Sequence, residues 1–165
     1  MLAIPAITFF IVVLAVHIAA VVITFGVTFA YPMMAVYIRR AEPRSVPVLH
    51  RLQAHLDRRW VSPGMVVVLA AGIYLASKLH SFSEFYVQWG FGAIIVLGGL
   101  AGAYFAPRDT RLAELAQRDV DAAGDGKPKF SAEYESLSRQ VAIVGTATGL
   151  LIVLTIYFMA AQTGA

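Results

Sequence analysis

Apolar residues run along this chain in four long stretches, and almost all of the charge is gathered into the segments between them. The first stretch, about Ile4 to Tyr37, ends at Arg39-Arg40, where paired charges mark a membrane surface. The second opens at Ser62-Pro63, an N-cap followed by proline at the first helical position, and reaches about Ser77. The third covers about Phe85 to Ala106 and stops at Pro107-Arg108, and the fourth covers about Val141 to Ala161. A helix rises about 1.5 Å per residue and a bilayer core is about 30 Å thick, so each stretch reads as a transmembrane helix. The predicted fold is all-α, a single membrane domain over residues 1–165 built as a four-helix transmembrane bundle. Span one is long enough to tilt or protrude, whereas span two is short.

The connecting segments are patterned too. In residues 39–60, Leu49, Leu52, Leu56 and Trp60 recur at helical spacing while Arg51, Arg58 and Arg59 occupy other faces. That predicts a short interfacial helix, either a plain connector or one dedicated to lipid or to a partner. Tyr86, Trp89 and Tyr157 suit interfacial anchoring. In residues 107–139 a helical stretch carries Leu112, Leu115 and Val120, then breaks at Gly124-Asp125-Gly126-Lys127-Pro128. A second helix restarts at the N-cap Ser131, with Glu133 and Glu135 in its first turn, and runs on into span four. Asp119, Asp121 and Asp125 lack EF-hand spacing and read as a solvated acidic turn.

Composition sharpens the class. Hydrophobic residues make up 59% of the chain and charged residues 14%, so the bilayer rather than water is its solvent. The net charge of +3 does not point to nucleic acid, because twelve of the 13 Lys and Arg lie in segments 39–60 and 107–139. Only Lys78 lies on the other side. The bias predicts both segments in the cytoplasm and both termini outside. Span one lacks the basic n-region of a signal peptide and is expected to be retained.

Candidate chemistry is sparse. With no cysteine there is no disulfide, thiolate metal site or Cys nucleophile. No Asp, Glu, Lys or Arg falls inside a predicted span, which argues against the common ion-coupled transport designs. No metal-ligating set occurs, and segment 107–139 offers no paired acid and base on a rigid frame, so a non-catalytic chain is expected.

The exception is His17, well inside span one. Thr24, Thr28 and Tyr31 follow at offsets of seven, eleven and fourteen, placing a polar stripe on one helical face that should turn into the bundle. Three readings stay open for the imidazole: a structural hydrogen bond, ligation of haem b iron or another metal, or proton relay. The stripe is also the one candidate path for a small transporter or channel. For a second axial ligand, His50 and His55 fall in the loop, and His80 lies just past span two. His17 itself sits roughly 13 to 20 Å below the outer end of its helix. Met33, Met34, Met65, Met159 or a group from another chain are the remaining axial candidates.

Small residues give the packing signal. Gly98 and Gly102 in span three, and Gly145 and Gly149 in span four, stand four apart and can admit a neighbouring helix closely, within this bundle or across an interface.

Three motifs then carry a family resemblance over nearly the whole chain: Val16-His17; Ala71-Gly72-Ile73-Tyr74-Leu75-Ala76; and Ser131-Ala132-Glu133-Tyr134 leading to Tyr157-Phe158-Met159. In their order and spacing the chain resembles a family of bacterial four-helix integral membrane proteins, distantly similar to copper-resistance D membrane domains and to HemJ-type protoporphyrinogen oxidase. The resemblance implies the bacterial inner membrane, and it implies that His17 matches a first-helix histidine with a haem-binding role. After that histidine the related families often continue with Trp and paired Gly, where this chain reads Ile23-Thr24-Phe25-Gly26, and Ala160-Ala161-Gln162 replaces their Lys-Pro close. Neither an oxidase activity nor a copper site is carried over. The expectation placed first is a non-catalytic inner-membrane subunit in contact with the lipid bilayer, packing against itself or against other membrane subunits. Haem handling through His17 comes second, and a small transporter or channel third.

Overall fold

The computed structural model describes residues 3–161, with side chains from Phe9 onward. Among the described residues, four helical stretches are long and apolar enough to cross a membrane, and no strand occurs, so the chain is an all-α, multi-pass membrane protein. Helix α1 spans Ala3–Ala41, and a 3₁₀ turn at Pro43–Ser45 leads into α2, Val46–Leu56. A π turn at Asp57–Val61 joins α2 to α3, Ser62–Leu79. Helix α4, Phe85–Gly99, continues through a second π turn, Leu100–Phe105, into α5, Ala106–Ala122, and α6 spans Ala132–Ala161. The chain ends, residues 1–2 and 162–165, which the charge bias predicts to be external, lie outside the described residues.

The prolines differ from the sequence expectation. Pro63 and Pro107 predict a helix start and a helix stop, yet the helix passes through both. Proline lacks the N–H that would bond four residues back, and its ring crowds that carbonyl. Here a widened π turn precedes each proline and shifts the hydrogen-bond ladder past it. Ser62 therefore does not cap a new helix; its Oγ donates to the Asp57 carbonyl at 2.9 Å. Ser131 does act as expected: its Oγ accepts from the Tyr134 N–H at 3.4 Å at the head of α6. Gly124, with φ +54°, supplies the left-handed residue that turns the chain after α5.

Helices α1 and α3 pack antiparallel, Phe9 edge-on to Tyr74 at one end and Tyr31 bonded to Asp57 at the other. Helices α4 and α6 form the second antiparallel pair, with Phe85 against Phe158 and the Trp89 indole N–H donating to Thr155 Oγ1 at 3.0 Å. The pairs meet around Phe25, Val61, Met65, Leu97 and Ile152. The helix expected in residues 39–60 packs on a neighbour: α2 lies across α5 and closes a second core of Val46, Leu112, Leu115, Ala116 and Tyr134. Leu49 is buried in that layer, whereas Leu52 and Trp60 stay exposed. The protruding end of α1 is clamped there, with Ile38 against the core, Arg39 paired with Glu135, and the Arg39 guanidinium over the Phe130 and Tyr134 rings.

Candidate functional site along the α1–α3 seam

Residues seven apart return to nearly the same helical face, and three of the four stripe residues on α1 meet α3 or the turn before it. His17 Nδ1 lies 3.1 Å from the Val68 carbonyl. A carbonyl oxygen only accepts, so Nδ1 carries the proton, and in the neutral ring Nε2 is left as a lone pair. The approach depends on Gly72, where a Cβ would sit 3.4 Å from His17 Cε1. About two turns nearer the loops, Thr24 is buried against Gly64, and a Cβ there would fall 2.0 Å from Thr24 Oγ1. Thr28 does not join the seam; its Oγ1 donates within α1 to the Phe25 carbonyl at 2.7 Å, releasing it from the need for a partner helix.

At the loop end of the seam, Tyr31 donates to Asp57 Oδ1 at 3.0 Å. Asp57 and Asp109 are 9% and 5% exposed, and among the described residues neither forms an ion pair with Lys, Arg or His. Both lie outside the apolar spans, Asp57 as the first residue of one π turn and Asp109 in α5 just after the other. Burial pushes the Asp57 carboxyl above its usual range, with the Tyr31 hydrogen bond pulling the other way. Burial, then the Asp57 charge, pushes Asp109 up to about 7. The sequence points to neither carboxylate directly. Asp57 follows His50 and Gln53 along the face of α2 that the structure buries, whereas the apolar pattern runs through Leu49, Leu52, Leu56 and Trp60.

The other histidines are dispersed. His50 is bonded within the loop-side core, Nδ1 to Gln53 Oε1 at 3.1 Å and Nε2 to Tyr134 Oη at 2.9 Å. Burial depresses its pKa to about 4. His55 is exposed on α2, and His80 is the left-handed cap of α3. Met65 lies in the intramembrane core, Met159 packs over Gly90, Met33 is exposed and Met34 half-buried. Among the described residues, no three His, Asp or Glu side chains gather as a metal site. For haem, the fit is one-sided: His17 has the tautomer of an iron ligand, and none of the three other histidines shares its seam.

Around Gly98, Gly99, Gly102 and Gly145 a Cβ would meet nothing within 4 Å, and at Gly149 it would lie 3.5 Å from the Phe29 ring. The close approaches inside the bundle are made at Gly64, Gly72, Gly90 and, of the four predicted packing glycines, Gly149. Set beside known proteins, the chain is matched by no family model, no curated protein and no solved structure.

Proposed function

We propose that this chain is a non-catalytic subunit of the bacterial inner membrane that assembles with itself or with other membrane subunits through the glycine faces of α6 and of α4 with the π turn that follows it. Segments 39–60 and 107–139 face the cytoplasm in this reading, and both termini face outward. One observation carries it: Gly98, Gly102 and Gly145 open onto space that no part of the bundle fills, while other glycines serve its internal contacts. Open small-residue strips let a second backbone approach closely, and in lipid that packing drives association. Purification in mild detergent followed by mass measurement tests the proposal. A homo-oligomer or a copurifying subunit is expected, and Gly98→Leu with Gly102→Leu should release it. A strictly monomeric chain with no companion overturns the reading.

The geometry of His17 favours a second reading, haem handling. A histidine that donates through Nδ1 to a backbone carbonyl holds Nε2 ready for a metal and has its ring orientation fixed. Bound haem would supply redox chemistry, and His17 would hold its iron, any other axial ligand coming from a second chain or a small molecule. A visible spectrum of protein from haem-replete cells decides it. A Soret band lost in His17→Ala supports the reading, and a colourless preparation removes it.

A further inference from the structure

We infer that the groove between α2 and α5 is a seat for the phosphodiester headgroup of an anionic phospholipid. The groove has a volume of about 940 Å³ and a floor that includes Ala54 and Ala113, whose short side chains leave it open. Its walls carry Arg51, Arg58, Arg59, Arg118 and His55 against Glu114 and Asp121. Four arginines against two carboxylates leave two positive charges in surplus before His55 is counted.

The distribution of partners matters more than the sum. Arg118 is taken up by Asp119, Glu133 and Ser131, while Glu114 pairs with Arg111 and Asp121 accepts from Gln117. Arg51 meets only the neutral Gln117 amide, at 3.4 Å. Among the described residues, Arg58 and Arg59 form no ion pair. The unpaired charge is thus concentrated at one end of the groove, in the π turn that leads directly into the apolar helix α3. Trp60, 58% exposed, follows at once in the sequence. That end belongs at headgroup depth, where Trp sits and where lipid phosphates are most concentrated. Guanidinium groups match phosphate oxygens with paired donors, so a phosphodiester satisfies Arg58 and Arg59 without a protein carboxylate. Its position at a membrane edge selects a lipid over a dissolved anion.

Native mass spectrometry of the full chain in non-ionic detergent, offered phosphatidylglycerol or phosphatidylcholine of the same acyl chains, tests the assignment. Phosphatidylglycerol should be retained in preference. Each basic residue near a lipid surface contributes about a fivefold effect, so Arg58→Gln with Arg59→Gln should reduce the preference by about 25-fold. Lys78→Gln, the loss of one charge at the far end of α3, should change it by less than about twofold. If the double variant does not fold, the single variants Arg58→Gln and Arg59→Gln are read instead, each for about a fivefold loss. A wild-type preference in all groove variants overturns the inference. Displacement of the lipid by excess inorganic phosphate, as complete as by unlabelled phosphatidylglycerol, also overturns it and assigns the groove to free anions.

Discussion

His50 and Asp109 are both buried beside the membrane, and they respond to pH in opposite senses. His50 titrates at about 4 in the folded chain, below its ordinary value. As pH falls from about 6.5 toward 4, the unfolded chain takes up a proton that folded His50 refuses, and stability declines. Asp109 titrates at about 7, above the ordinary carboxylate value. Its folded form holds a proton that the unfolded chain releases, so its contribution is full below about 4 and is lost as pH rises through 7. The two windows overlap. Asp109→Asn should therefore leave a melting temperature that rises with pH between about 4 and 6.5, while His50→Gln should leave one that falls between about 4 and 7. Melting curves of both variants in one detergent, measured across that range, check the signs. Slopes of the same sign in the two variants would refute this account of the buried groups.

At the scale of elements, the glycines divide into two classes. A Cβ on Gly64 would fall 2.0 Å from Thr24 Oγ1, so Gly64→Ala must push α1 and α3 apart. Overpacking of this kind costs about 1–3 kcal/mol, and Thr24→Ala in the same chain should recover part of it, its Cβ still lying 3.0 Å away. Gly98→Ala meets open space inside α4 and should not destabilise the isolated chain, helix propensity adding up to about 1 kcal/mol. Thermal unfolding of the three variants separates the classes. This division marks where sequence reading stops. The heptad offsets of His17, Thr24 and Tyr31 predict an inward face, and three of the four stripe residues do turn toward α3. Spacing along one helix, however, says nothing of which glycine on another helix lies opposite, so Gly64 and Gly72 were not legible. Pro63 and Pro107 mark a start and a stop by the local rule, because a π turn that carries a helix past a proline leaves no mark in hydrophobic periodicity. The pairing of Tyr31 with Asp57 depends on that turn and was hidden with it.

For the whole molecule, the charge bias makes a topological prediction independent of any site. The chain has no cysteine, so single cysteines report cleanly. Gly126→Cys, in the turn after α5, should react with a membrane-impermeant maleimide only after the cytoplasm is opened, and Ser83→Cys, between α3 and α4, should react in intact spheroplasts. The reverse pattern would invert the proposed orientation. The four crossings themselves were readable from length and apolarity alone, because hydrocarbon admits few alternatives for a polar backbone. The loop-side core was half readable: Leu112, Leu115 and Tyr134 stand on recognisable helices, but that α2 covers them is a matter of how distant segments meet.

The uninterrupted passage of α2 into α3 and of α4 into α5 also draws a cutting map. A protease needs extended backbone, and most of the basic residues that trypsin could use are locked in helix. Arg44, in the 3₁₀ turn, is held by the Gly124 and Gly126 carbonyls, and Lys127 precedes Pro128, a bond that trypsin leaves intact. That leaves Lys129-Phe130, on the extended stretch before α6, as the bond to be severed first. Phe130 and Tyr134 would remain packed under Arg39 and the rest of the loop-side core, so the nick should yield two bands on a denaturing gel from a particle that still migrates as one in detergent.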